Sequence, residues 1–146
     1  GHVLDQKGPD GQLARAGPDE GIPTIDPELG GCVGWDLDSI DIGVRGLFNV
    51  LRYYDFLPAS VTTETQTRAG GFDQYGAPAG GLVEFDVDLG DPVSRGDRLY
   101  RITDVFGTTK DTVTADTEGI VWRTRRLPQV ATGEYVCSVG IDVDSY

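Results

Sequence analysis

The chain has 146 residues, enough for one ordinary domain or a small one with an appended piece. It carries 24 Asp and Glu against 12 Lys and Arg, a formal charge of −12, and its only lysines are Lys7 and Lys110. A field of that sign repels phosphate backbones and anionic lipid headgroups, so nucleic acid and membrane surfaces are poor partners.

The Asp-rich, Lys-poor balance matches a salt-adapted, halophilic proteome, where dense salt screens self-repulsion. No stretch approaches the roughly 20 apolar residues needed to cross a bilayer, and no signal peptide is visible, which points to the cytoplasm. Cys32 and Cys137 lack metal-type spacing and read as buried thiols, with a disulfide between them as the alternative. His2 is the sole histidine and follows Gly1 as in a protease-cleavage scar.

Residues 1–20 are rich in Gly, Pro, Asp and Gln and read as a flexible lead-in, with a short helix near Gln12 to Ala16. In Gly21-Ile22-Pro23-Thr24-Ile25-Asp26-Pro27-Glu28-Leu29-Gly30-Gly31 a short apolar run of strand character ends on a carboxylate. The Gly pair turns the backbone there and leaves Glu28 at a sheet edge, where open α/β sheets present catalytic groups. A solvated loop acid is the competing reading. Asp36, Asp38 and Ser39 then form an acidic N-cap region. Ile40, Val44, Leu47, Phe48 and Leu51 follow as one apolar stripe, predicting a helix from Ser39 to Tyr54. Residues 21–58 thus read as a strand, a turn and one helix.

From residue 59 to 146 helical periodicity vanishes and the chain reads as β structure. Thr62 to Thr67 is expected to be a strand leading into a Gly70-Gly71 turn. An internal repeat follows. Gly81-Leu82-Val83-Glu84-Phe85, then Leu89, Val93, Gly96-Asp97 and Leu99-Tyr100-Arg101-Ile102, forms one copy. Gly119-Ile120-Val121-Trp122-Arg123, then Leu127, Val130, Gly133-Glu134 and Val136-Cys137-Ser138-Val139, forms the other, about 38 residues later. Each copy has an apolar anchor and a tight Gly-acid turn between strands, and neither buries its apolar face alone. Together they predict a β-sandwich or flattened barrel of pseudo-two-fold symmetry.

The ordered motifs carry a resemblance. Gly21 to Gly31, Arg45-Gly46-Leu47-Phe48-Asn49-Val50-Leu51, Ala77-Pro78-Ala79-Gly80-Gly81-Leu82 and Leu89-Gly90-Asp91-Pro92-Val93-Ser94-Arg95-Gly96-Asp97-Arg98-Leu99 resemble the succinylglutamate desuccinylase/aspartoacylase family. These are zinc-dependent deacylases related to zinc carboxypeptidases. The resemblance implies a C-terminal portion: the end of the catalytic α/β domain, then a β domain of barrel-sandwich-hybrid type, α+β overall. It implies that Glu28 is the general base for the attacking water and then the acid for the leaving amine. It implies Zn²⁺ in the parent enzyme, on two His and a Glu outside this chain. No His-x-x-Glu pair occurs here, so no residue of the chain is assigned to metal and the fragment alone is expected to be inactive. The expected partner is a small N-acyl amino acid, and a homo-oligomer is compatible with the sequence.

Other constellations compete. The repeat also resembles biotinyl/lipoyl carrier domains, with Lys110 near the modified position but without the usual flanking residues; a carrier, oligomerisation or entrance module is therefore the alternative. Arg15, Arg45, Arg123, Arg125 and Arg126 are able to clamp a substrate carboxylate or simply offset acidic surface. Asp5, Asp10, Asp36, Asp38 and Asp41 do not fit a Ca²⁺ loop. Trp35 and Trp122 read as packing residues. The charge balance makes a first prediction: thermal melts of the chain should move up by several degrees, roughly, on going from low salt to molar NaCl. An unchanged midpoint removes the salt-adaptation reading.

Overall fold

A computed structural model of the chain describes residues 2–4, 8–30 and 34–145. The chain divides into two compact units, Lys7–Glu64 and Gly1–Gln6 with Thr65–Tyr146. The expected lead-in over residues 1–20 is in fact structured in two places: strand β1 (His2–Leu4) belongs to the second unit and helix α1 (Leu13–Asp19) to the first. The boundary near residue 58 moves to residue 64 because Asn49 holds the later residues. Its side-chain amide donates to the Thr62 carbonyl at 2.6 Å and its oxygen accepts from the Thr62 N–H at 3.3 Å.

In the first unit α1 is short and ends around Pro18, which has no N–H for the Ala14 carbonyl. Gly8 N–H donates to that carbonyl at 3.4 Å instead. Helix α2 (Leu37–Tyr53) begins where its cap dictates: the Asp36 carboxylate accepts from Ser39 N–H at 3.1 Å. Asp38 in the first turn and Arg52 in the last complement the helix dipole. The predicted apolar stripe is on α2, yet no residue of this helix is buried; Ile40, Val44, Leu47, Phe48 and Leu51 remain 40–64% exposed.

The second unit is all β. After β1 come β2 (Thr67–Gly76), β3 (Gly81–Phe85), β4 (Pro92–Val93), β5 (Arg98–Thr103), β6 (Thr109–Thr114), β7 (Gly119–Thr124), β8 (Gln129–Val130) and β9 (Tyr135–Ser145). One sheet has the order β1-β2-β9-β7-β4 and the other β6-β5-β3-β8. His2, expected to be a scar residue, pairs with Thr67 as β1 runs parallel to β2, and its ring meets Trp122 edge-on at 5.1 Å. The strand expected over Thr62 to Thr67 begins only at its last residue, and there is no turn at Gly70-Gly71. Strand β2 runs straight through those glycines, because they lie against Asp142 and Ile141 of β9 and the ladder continues on both sides.

The two copies of the repeat exchange their shortest strands. β4 of the first pairs with β7 of the second, matching Val93 to Gly119; β8 of the second pairs with β3 of the first, matching Val130 to Gly81. The bonds beside these pairs correspond as well: Val83 N–H donates to Pro128 O at 2.7 Å and Val121 N–H to Asp91 O at 2.9 Å. Val93 and Val130 are both buried, whereas Leu89 and Leu127, the other apolar pair the copies share, are exposed. The valines anchor because each faces the facing half's glycine. One core joins both sheets, with Val83, Leu99, Tyr100 and Ile102 from one and Val121, Val136, Cys137 and Val139 from the other. Burying such side chains contributes about 1.5–3 kcal/mol each.

Acidic residues close the turns. Asp91 accepts from Asp88 N–H at 2.8 Å, Asp97 from Ser94 N–H at 2.8 Å and Glu134 from Ala131 N–H at 2.9 Å. In each turn the preceding glycine has a positive φ (Gly90 +93°, Gly96 +94°, Gly133 +83°), as a type II turn requires. On β3 and β5, Asp86 makes a two-pronged pair with Arg98 (2.6 and 2.7 Å), and Glu84 accepts from Arg101 at 2.6 Å and Thr103 at 3.1 Å.

Two tests follow from this packing. A Cβ at Gly81 would lie 2.3 Å from Thr103 O, and one at Gly119 would lie 2.1 Å from Gly140 O. Gly81→Ala and Gly119→Ala should each lower unfolding free energy in urea by about 1–3 kcal/mol or more, because backbone must move. Hydrogen bonds from Arg98 and Arg101 hold the Asp86 and Glu84 carboxyls below their ordinary range, and the Thr108 and Phe106 N–H groups do the same for Asp104. Their contribution is complete above the unfolded carboxylate range and disappears as pH falls through the lowered folded values, below about pH 4. Melting midpoints recorded from pH 7 to pH 2 should fall on that limb, and Arg98→Gln with Arg101→Gln should flatten it.

Candidate functional site

Glu28 lies in the connection between α1 and α2, in residues 22–29, which have no regular secondary structure. The strand expected over Gly21 to Gly31 does not form. Pro23 and Pro27 each remove a backbone donor and fix φ, which spoils a ladder at two of its positions. The turn is present: Gly30 has φ +75°, a conformation that side chains with a Cβ rarely adopt. Gly31 and Cys32 lie outside the described residues. Glu28 itself is exposed.

Around Glu28 the chain is held by local packing. Leu29 lies on α2 over Gly43, and Gly30 approaches the Asp36 cap and Ser39. Toward α1, Thr24 packs on Gly17, its hydroxyl donating to Ile22 O at 3.0 Å, while Ile22 N–H donates to Gly17 O at 2.9 Å. These contacts were not legible from the motif. Their signal is the placement of a glycine inside each flanking helix.

Three of the five arginines make local contacts within the scaffold. Arg15 pairs with Asp19 at 2.8 Å and Arg45 with Asp41 at 2.9 Å, both one turn apart on their helices. Arg125 donates to the Leu127, Gln129 and Tyr135 carbonyls at 3.0–3.3 Å and pairs with Glu134 at 3.2 Å, tying β7, β8 and β9 together. Arg123 and Arg126 are exposed. Of the acids weighed for Ca²⁺, Asp36 caps α2 and Asp41 pairs with Arg45, while Asp5 lies outside the described residues. Trp35 is 87% exposed rather than packed. Trp122 does pack, covering the face of Gly140 as well as meeting His2.

Lys110 sits within β6 rather than on a hairpin tip, and its ammonium donates to the Gly80 carbonyl. The β5–β6 tip is instead closed by Asp104, whose carboxylate accepts from Phe106 and Thr108 N–H at 2.8 and 2.9 Å. Cys137 is a free thiol fully inside the core, and burial pushes it up to about 12, so it stays protonated. Among the described residues no group of three or more His, Cys, Asp and Glu side chains is arranged to hold a metal ion. Among the described residues the nitrogen and sulfur donors zinc favours are one histidine, packed on Trp122, and one thiol, buried in the core, and these do not suit it. No helix of the described residues is long and apolar enough to cross a membrane.

No protein-family model matches the sequence, and no curated protein matches it. Solved structures do. The apo ectoine utilization protein EutE (DoeB) from Ruegeria pomeroyi is 25% identical with a TM-score of 0.83, over 96% of this chain and 46% of that one. A succinylglutamate desuccinylase from a Silicibacter species is 25% identical with a TM-score of 0.80, over 98% and 45%. A succinylglutamate desuccinylase/aspartoacylase from Rhodobacter sphaeroides shares the fold at 22% identity and a TM-score of 0.78, over 99% and 45%. The chain therefore spans a little under half the length of these proteins. In fold the chain is similar to part of proteins named as succinylglutamate desuccinylase/aspartoacylase family members, over a little under half of their length.

Proposed function

We propose that the chain is the C-terminal portion of a zinc-dependent amidohydrolase that deacylates N-acyl amino acids, with Glu28 as its general base. The observation that supports this most directly is the near-complete match of the chain to part of a 25%-identical succinylglutamate desuccinylase. The exposed turn that carries Glu28 fits the role, since a base must reach bulk water and substrate together. Zinc belongs to the whole protein in this reading. The residues described here do not form its site, and no step is assigned to it.

Glu28 would take a proton from a water molecule as the water oxygen bonds to the amide carbonyl carbon. The tetrahedral intermediate then breaks its C–N bond, and the same carboxyl returns the proton to the departing nitrogen. The products are the free acid and the free amine, so atoms and protons balance without another reactant. General acid–base help of this kind is worth about 10²–10⁴-fold in rate.

The β unit would complete the enzyme as a module of barrel-sandwich type, a reading supported by the exchange of β4 and β8 between its halves. The carrier alternative is weaker, because Lys110 is within a strand and engaged with Gly80. A small-molecule substrate and a cytoplasmic setting belong to the same proposal, as does the salt-adapted surface.

The deciding experiment uses the full-length protein. Glu28→Gln should lower kcat by about 10²–10⁴-fold on an N-acyl amino acid while zinc content stays near one equivalent. Turnover within a few-fold of wild type would end the assignment. The 146-residue chain alone should hydrolyse nothing.

A further inference from the structure

The segment that bears Glu28 has no strand ladder to hold it, yet it is fastened at both ends by helix glycines. In α1, Gly17 is the buried residue, and a Cβ there would lie 2.0 Å from Thr24 Oγ1. In α2, a Cβ at Gly43 would lie 2.5 Å from Leu29 Cδ1. The notches are specific. Gly46, on the same helix, has nothing within 4 Å of the corresponding point. Each helix glycine costs about 1 kcal/mol against alanine, so Gly43 gives up helix stability at the place where Leu29 is seated.

Leu29 is a poor core residue, 49% exposed, although its side-chain tip occupies the notch. Its burial therefore accounts for little stability, and what the contact does is set the position of the backbone beside it. Gly30 adds a third tether. Its φ is +75°, and a Cβ there would lie 3.0 Å from Asp36 Oδ2 and 3.1 Å from Ser39, which leaves little room for a side chain. Thr24, Leu29 and Gly30 are thus all seated on helices, and Glu28 stands immediately before the last two.

We propose that Thr24 on Gly17 and Leu29 on Gly43 form a two-point clamp that positions the Glu28 carboxylate, making Thr24, Leu29 and Gly43 positioning residues. A catalytic group must be held within about 0.5 Å of its productive place, and a 1 Å displacement costs on the order of 10²-fold. In a segment without a strand ladder, side-chain notches add to that restraint. The proposal rests on the reading of Glu28 as general base.

The test pairs kinetics of the full-length protein with amide hydrogen exchange of the 146-residue chain. Leu29→Ala should lower kcat about 10-fold or more, with KM and zinc content unchanged, and should speed exchange across residues 22–30. Leu29→Met, long enough to refill the notch, should restore most of kcat. Gly46→Ala should leave kcat and exchange at wild-type values. If Glu28→Gln is inactive but Leu29→Ala keeps wild-type kcat and exchange, the clamp is wrong and the role of Glu28 stands. Should Glu28→Gln remain active, the base reading falls and the positioning role falls with it.

Discussion

The exchange of two-residue strands between the halves of the β unit is the constraint on which its architecture depends. Val93 must cross to Gly119 and Val130 to Gly81 before either half is complete. At both crossing points the glycine also lies against its other neighbour, Gly81 against Thr103 O of β5 and Gly119 against Gly140 O of β9, where a Cβ has no room. Once the crossing is made, the buried residues of each copy, Leu99, Tyr100 and Ile102 in one and Val136, Cys137 and Val139 in the other, meet in a single core. Neither copy could be stable alone, since each would expose that face.

The same unit uses its excess of carboxylates with economy. Asp91, Asp97 and Glu134 close turns by accepting backbone N–H groups, and Asp104 orders a hairpin tip. Asp86 and Glu84 meet the two arginines of β5. A surface that composition alone presents as a uniform negative field is thus, in part, a set of local hydrogen-bond acceptors. The helical unit contrasts with it. Its helix α2 has a well-formed cap and an apolar stripe, yet the stripe stays in solvent. That exposure agrees with a chain spanning under half of its structural relatives' length, and with the proposal that a larger enzyme surrounds it.

Much of the fold was legible in the residues. Helix α2 was foreseen within two residues of each end, because a capping aspartate and a 3.6-residue stripe are local signals. The 38-residue repeat located β3 and β7, and β5 and β9, because pseudo-symmetric halves need the same residue types at corresponding positions. The errors had physical causes. Pro23 and Pro27 prevented the strand before Glu28, and Gly70-Gly71 stayed within β2 because β9 pairs across them. Hydrophobicity alone did not separate Leu89 and Leu127 from Val93 and Val130, which occupy the crossing points.

By itself the sequence determined the acidic surface, the Gly-acid turns of the repeat, the capped helix, the repeat itself and the candidate acid at position 28. All of these follow from neighbours within a few residues or from one copy's likeness to the other. Only the tertiary structure decided which strands the halves exchange, which apolar residues are buried, and that Thr24 and Leu29 rest on Gly17 and Gly43. Those are contacts between distant or separately formed elements, and a missing Cβ shows its purpose only when something is seen to occupy the space.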